Sequence, residues 1–200
     1  MSRCLLTLSL LFGAVFVVGA WIPLKAMLAQ ELLTLAWAET QARQQPARPW
    51  PWADTWPVAR LDLGPGTEPL IVLEGVHGES LAFGPGRLAG ATREGPIIIA
   101  GHRDTHFDAL EHLKAGNLLR LQDQAGSWTD YEVTRIRIAD SREEGIELDA
   151  MAPDSLLLVT CFPFDSLASD GPLRYLVEAR VRPPLPLNLA SGGGIADAGF

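Results

Sequence analysis

Leu156-Leu157-Leu158-Val159-Thr160-Cys161 is a continuous apolar run that stops at a cysteine. A run this short and unbroken, bounded by loop-like sequence, reads as a strand buried on both faces. The next stretch, Phe162-Pro163-Phe164-Asp165-Ser166 through Gly171-Pro172, has the composition of a loop. A nucleophile at the end of a buried strand is held rigidly yet faces the opening above the sheet. A lone cysteine is more often a small buried hydrophobe than a reagent, so the rest of the chain must decide its use.

The rest of the chain repeats this pattern. Apolar or alternating runs recur at Ala59–Leu63, Leu70–Leu73, Pro96–Ala100, Leu118–Leu121, Tyr131–Ile138 and Leu173–Val181. Gly64-Pro65-Gly66, Gly84-Pro85-Gly86 and Gly126-Ser127 punctuate them, and short strands with such turns predict a barrel or a sandwich. One helical insert is expected over Phe107–Lys114, ended by Gly116.

Only one other cysteine exists, Cys4, at the head of an uncharged stretch of about 18 residues from Leu5 to Ile22, near the lower limit for a spanning helix. An uncleaved N-terminal anchor over residues 1–23 is preferred to a cleaved signal peptide, because Trp21, Ile22 and Pro23 follow the small Gly19 and Ala20. Cys4 precedes the apolar stretch, which is the wrong side for a lipoprotein cysteine. The expected orientation is single-pass, N-terminus inside, with the body of the protein on the extracytoplasmic, periplasmic side. Cys161 is then an unpaired thiol in a compartment that oxidises thiols, which points to use.

Residues 24–57 are expected to form a juxtamembrane helix and a linker. Leu24, Met27, Leu28, Glu31, Leu32 and Leu35 predict a partly amphipathic helix to about Arg43. Four prolines between Gln44 and Pro57 then exclude a helix. Trp50, Trp52 and Trp56 in that stretch suit a membrane surface, but packing against the domain is the simpler reading. The globular unit is expected over 58–182, with a disordered tail over 183–200. A net charge of −8 with no basic stripe argues against nucleic acid, and no Cys/His cluster has zinc spacing.

Pro96-Ile97-Ile98-Ile99-Ala100-Gly101-His102 shares the design of the cysteine strand: an apolar run, a glycine, a histidine at its mouth. His77 and His112 read as solvated, and His106 as a residue that shapes the pocket. His102 is the one placed to approach a thiol, and an imidazole that takes a thiol proton can later protonate a leaving amine. Arg174 lies 13 residues after Cys161 on what should be the next strand, where Leu173, Tyr175, Val177, Ala179 and Val181 share one face. It could return to the cysteine, where its fixed donors suit an oxyanion or a peptide backbone.

On these residues the chain resembles the sortases, membrane-anchored cysteine transpeptidases of bacteria that carry His, Cys and Arg in that order. Leu157-Leu158-Val159-Thr160-Cys161 matches the family's Thr-Leu-x-Thr-Cys except at Leu157, and Leu173-Arg174-Tyr175 matches the arginine strand. Gly101-His102-Arg103-Asp104-Thr105-His106-Phe107 and Thr160-Cys161-Phe162-Pro163-Phe164-Asp165 resemble the sortase group of Gram-negative bacteria. The resemblance, over about Val58 to Val181, implies a closed eight-stranded β-barrel with one or two short helices. It also implies Cys161 as nucleophile, His102 as general acid/base and Arg174 as oxyanion or substrate-positioning group, with Thr160 and His106 at the substrate site. The implied partners are an exported protein bearing a C-terminal sorting signal and an amine acceptor. Some relatives bind calcium near the substrate loop; Glu143, Glu144, Glu147 and Asp149 read at least as well as a solvated acidic loop, and no cofactor is expected. Two rivals share the thiol: an exported cysteine peptidase or amidase with water as acceptor, and a non-catalytic, membrane-tethered β-domain.

Overall fold

A computed structural model describes residues 2–88, 95–145, 151–166 and 171–183. Eight strands close into one barrel: β1 (Pro57–Asp62), β2 (Leu70–Glu74), β3 (Gly86–Arg87), β4 (Ile97–Ala100), β5 (Leu118–Gln122), β6 (Trp128–Asp140), β7 (Ser155–Cys161) and β8 (Leu173–Val181). Their order around the barrel is β1-β2-β3-β4-β7-β8-β6-β5. Closure leaves no unpaired sheet edge among the described residues. The seven expected strands are all present. The two-residue β3 went unread, because no periodicity can show in so short a run, although it bridges β2 and β4. The insert expected as a helix over Phe107–Lys114 is a single 3-10 helix, Asp108–His112. The chain also forms two α-helices, the long N-terminal α1 (Ser2–Arg43) and the short α2 (Gly78–Phe83) that follows His77.

Side-chain alternation fixes which face of each strand is the interior. On β7, Leu156 and Leu158 join the main core; on β8, Val177 and Ala179 do so, with Tyr175 and Val181 packed at its margin. Phe107 and Leu110, from the insert, plug the same core and are fully buried. Each such aliphatic or aromatic side chain contributes about 1.5–3 kcal/mol when removed from water. The opposite faces of these strands also carry apolar residues. Ile98, Ala139, Leu157 and Leu176 form a second cluster, with Leu88, Met151 and Val159 against it.

Helix α1 runs without interruption along its length. Its second half docks on the barrel, though not by the stripe expected. Leu24, Met27, Leu28 and Leu35 are exposed, whereas Ala29, Leu33, Ala36, Trp37 and Thr40 are buried. Leucines occupy both sides of this helix, so their spacing alone did not identify the inner face; alanines let the backbone approach the sheet closely. Gln30 Nε2 donates to the Phe83 carbonyl at 2.8 Å and Gln44 Nε2 to the Gln124 carbonyl at 3.0 Å, tying both ends of the docked half. Among the described residues, no helix is long and apolar enough to cross a membrane. In the linker, Trp56 packs against the main core and Trp50 meets Phe83 edge-on at 4.9 Å, while Trp52 remains 80% exposed. The expected disordered tail lies outside the described residues from 184 on.

Candidate active site

Cys161 ends β7, and its register partner across the antiparallel pairing with β8 is Arg174. Directly opposed residues of paired strands project to the same face. That face is the outer one, because Leu157, Val159 and Cys161 alternate with the core-facing Leu156, Leu158 and Thr160. On its other side β7 pairs in parallel with β4, Ala100 lying beside Val159. The pairing runs one residue past the strand, since Gly101 N–H donates to the Val159 carbonyl at 3.1 Å. His102 therefore leaves β4 at the level of Cys161, and strand register places the three residues at one rim of the barrel. Cys161 is a half-buried free thiol, His102 is exposed and Arg174 is half-buried.

The local sequence explains how the histidine loop is held. Thr160 is 2% exposed, and its hydroxyl donates to the Gly101 carbonyl at 2.7 Å. Sequence reasoning put Thr160 among the substrate-binding residues. The structure turns it inward, because strand alternation gives Thr160 the face opposite to Cys161, and there it fastens the cysteine strand to the histidine strand. Gly101 itself has no room for a side chain: a Cβ would lie 2.9 Å from the Phe107 ring. Phe107 N–H in turn donates to the His102 carbonyl at 3.0 Å, closing the loop onto its own start.

His106 sits half-buried beside this loop, with Thr105 Oγ1 3.2 Å from its Nδ1. It lines a cavity of about 600 Å³ with Leu63, Leu70, Asp108 and Glu111 among its walls. Burial pushes its ring below the ordinary histidine range, and the nearby His102 pushes it the same way; the Phe83 carbonyl and Asp108 oppose them. His77 is about half exposed, 3.7 Å from Asp54, and His112 is exposed, as their sequence contexts imply.

Arg174 is not idle. Its Nη1 donates to the Gly171 carbonyl at 2.6 Å and the Leu173 carbonyl at 2.9 Å, so the guanidinium braces the end of the loop between β7 and β8. The guanidinium carries five N–H donors in a fixed fork, which leaves others for a bound group. Beyond Arg174 on the same outer face, Leu157, Met151 and Glu178 line a cavity of about 550 Å³. Arg137 crosses it, paired with Glu144 at 2.6 Å and Glu178 at 3.1 Å. Of the acidic stretch, Glu147 and Asp149 lie outside the described residues, and Glu144 is engaged by that arginine. Among the described residues no group of His, Cys, Asp and Glu could hold a metal ion.

Next to His102 the chain carries a further arginine. Arg103 is 4% exposed. It lies between His102 and Asp104 in a segment that reads from sequence as a polar loop.

A family model described as the Sortase domain matches residues 65–182. The chain is 32% identical over 114 residues to Sortase D of Bacillus subtilis (strain 168), covering 56% of this chain and 57% of that one. It thus spans little more than half the length of that relative. Among solved structures, Sortase A from Corynebacterium diphtheriae matches with a TM-score of 0.57 and 26% identity, over 68% of this chain and 66% of that one. Sortase C-1 from Actinomyces oris matches with a TM-score of 0.55 and 27% identity, over 64% and 74%. A Clostridium perfringens Sortase D5 transpeptidase, at 18% identity and a TM-score of 0.57 over 78% and 99%, is alike in fold.

Proposed function

Because the chain belongs to the sortase family, we propose that it is a cysteine transpeptidase that cuts a C-terminal sorting motif of an exported protein and transfers the product to an amine. The observation that carries this reading is the placement of Cys161, His102 and Arg174 at one rim by strand register, on β7, on the exit from β4 and on β8. In the proposed cycle, Cys161 Sγ attacks the carbonyl carbon of the scissile peptide bond while His102 takes the thiol proton. Arg174 N–H groups donate to the oxyanion that forms. Collapse breaks the C–N bond, His102 protonates the departing amine, and a thioester remains on Cys161. An incoming amine attacks that thioester, a new amide forms, and the thiol regains its proton.

Leu157 stands where the family carries threonine. It is 3% exposed in the apolar cluster with Ile98 and Leu176, a setting that suits leucine, four residues before Cys161 on the same outer face of β7.

The proposal extends to a membrane. Leu5, Leu6, Leu8, Leu10, Leu11, Phe12, Val15 and Phe16 on the first half of α1 are all exposed large hydrophobics, a surface that bilayer would cover. The chain is read as a single-pass protein of a bacterial plasma membrane with its barrel on the extracytoplasmic side. Release of an active chain lacking residues 1–23 into the soluble fraction supports this; retention of that chain in membranes overturns it.

Intact mass spectrometry tests the chemistry. The full chain is mixed with peptides bearing sortase-type C-terminal motifs, with and without an added amine, beside Cys161→Ala. A thioester on Cys161 that the amine converts to a capped peptide supports a transpeptidase. Cleavage indifferent to the amine makes the protein a hydrolase. No adduct, with the thiol inert to small alkylating agents, makes it a binding domain.

A further inference from the structure

Arg103 is a buried cation one residue from His102, and it bonds to the loop that follows Cys161. Its Nη1 donates to the Pro163 carbonyl at 2.7 Å and its Nη2 to the Ser166 carbonyl. Its Nε donates to Asp104 at 2.9 Å, a carboxylate that is 64% exposed. The hydrogen bonds thus join two segments some sixty residues apart in sequence, one starting at the histidine and one at the cysteine.

Burying a guanidinium is costly unless its donors are satisfied. Two backbone carbonyls and a carboxylate on three different nitrogens satisfy it, and they do so only if both loops hold one relative position. The planar fork converts the cost of burial into a distance constraint. A lysine, with its donors on one nitrogen, cannot impose the same constraint. Among the described residues, Thr160 to Gly101 and Phe162 N–H to the Leu173 carbonyl at 3.1 Å fasten the loops near their bases. Arg103 links the two loops beyond the strand ends.

We infer that Arg103 is a positioning residue, clamping the loop after the nucleophile to the loop that carries the acid/base, so that thiol and imidazole stay aligned. The inference rests on the roles proposed for Cys161 and His102. Its primary readout needs no peptide, so it stands or falls apart from the transpeptidase reading.

The test is Arg103→Lys in the full chain, read by its thermal transition and by the rate of iodoacetamide capture of Cys161 at one neutral pH. The expected result is a retained cooperative transition with alkylation slowed about tenfold, and, with a working peptide, kcat lowered by up to about 10²-fold with KM within about twofold. Arg103→Ala recovers part of the alkylation rate when guanidinium is added, as a missing clamp does and a mere packing defect does not. Alkylation within about twofold of the parent in folded Arg103→Lys overturns the inference. Should that variant fail to fold, Asp104→Asn replaces it: loss of one exposed ion pair is expected to slow alkylation about two- to fivefold, and an unchanged rate overturns the clamp. Slowed alkylation without turnover of any peptide by the parent leaves the clamp standing and removes the transpeptidase reading.

Discussion

Cys161 and Arg174 are direct register partners across β7 and β8, yet the Arg174 Nη1 is spent on the carbonyls of Gly171 and Leu173. The arginine therefore stands opposite the cysteine on the neighbouring strand, with part of its fork bound to the loop. Under the proposed function, such bracing would pre-orient the remaining donors, which is how a preorganised oxyanion group avoids reorganisation at the moment of reaction.

Arg174→Ala is expected to lower kcat by about 10²–10³-fold, the loss typical of one oxyanion donor. Cys161 should stay open to alkylation, because the arginine acts on the substrate. Peptide turnover and iodoacetamide capture, measured on one preparation, check this. Loss of the thermal transition instead would make Arg174 a structural brace.

Cys161→Ala should remove every trace of thioester and of amine-dependent product. The side chain is half-buried at a strand end, so the fold should persist. Mass spectrometry of the mixed reaction reads both; residual transpeptidation by a clean variant refutes the assignment.

Thr160→Val keeps shape and burial but leaves the Gly101 carbonyl without its hydroxyl donor. A buried acceptor stripped of its partner costs about 1–3 kcal/mol. Unfolding free energy from denaturant titration should fall by that amount with an unchanged slope. A variant as stable as the parent would mean that water replaces the hydroxyl.

Gly101→Ala forces a Cβ to within 2.9 Å of the Phe107 ring, which is fully buried. Overpacking of this kind costs about 1–3 kcal/mol, and because the shift falls next to His102, turnover should drop further than stability does. Urea unfolding together with kcat separates the two effects. Equal activity in a destabilised variant would detach this glycine from the site.

His106 yields a pH prediction. Burial, then His102, holds its folded value below 6.5, so between that lowered value and 6.5 the unfolded chain binds more protons than the native one. Stability therefore rises with pH through this window and falls as acid is added. His106→Gln should lessen the loss of thermal stability between about pH 7 and pH 5. Parallel curves for parent and variant would contradict the cause assigned to the ring.

The strands were legible wherever an apolar run was long enough to show a period, and the alternation in β8 placed Arg174 on the face it occupies. The histidine and cysteine were legible because each ends such a run. The inner face of α1 was not: leucines stand on both sides, and only contact with the barrel selected Ala29, Leu33, Ala36 and Trp37. Thr160 was read by its nearness in sequence to the nucleophile, but a strand sends neighbours to opposite faces.

The amino-acid sequence by itself determined that Cys161 and His102 each follow an apolar strand and that Arg174 lies on the next one, since these follow from local runs and their terminators. Tertiary structure alone decided that β4 and β8 flank β7 on either side, which is what brings Cys161, His102 and Arg174 to one rim. It alone turned Arg103 inward to join two loops. Pairing partners and buried bridges depend on contacts between segments distant in the chain, and no local period encodes those.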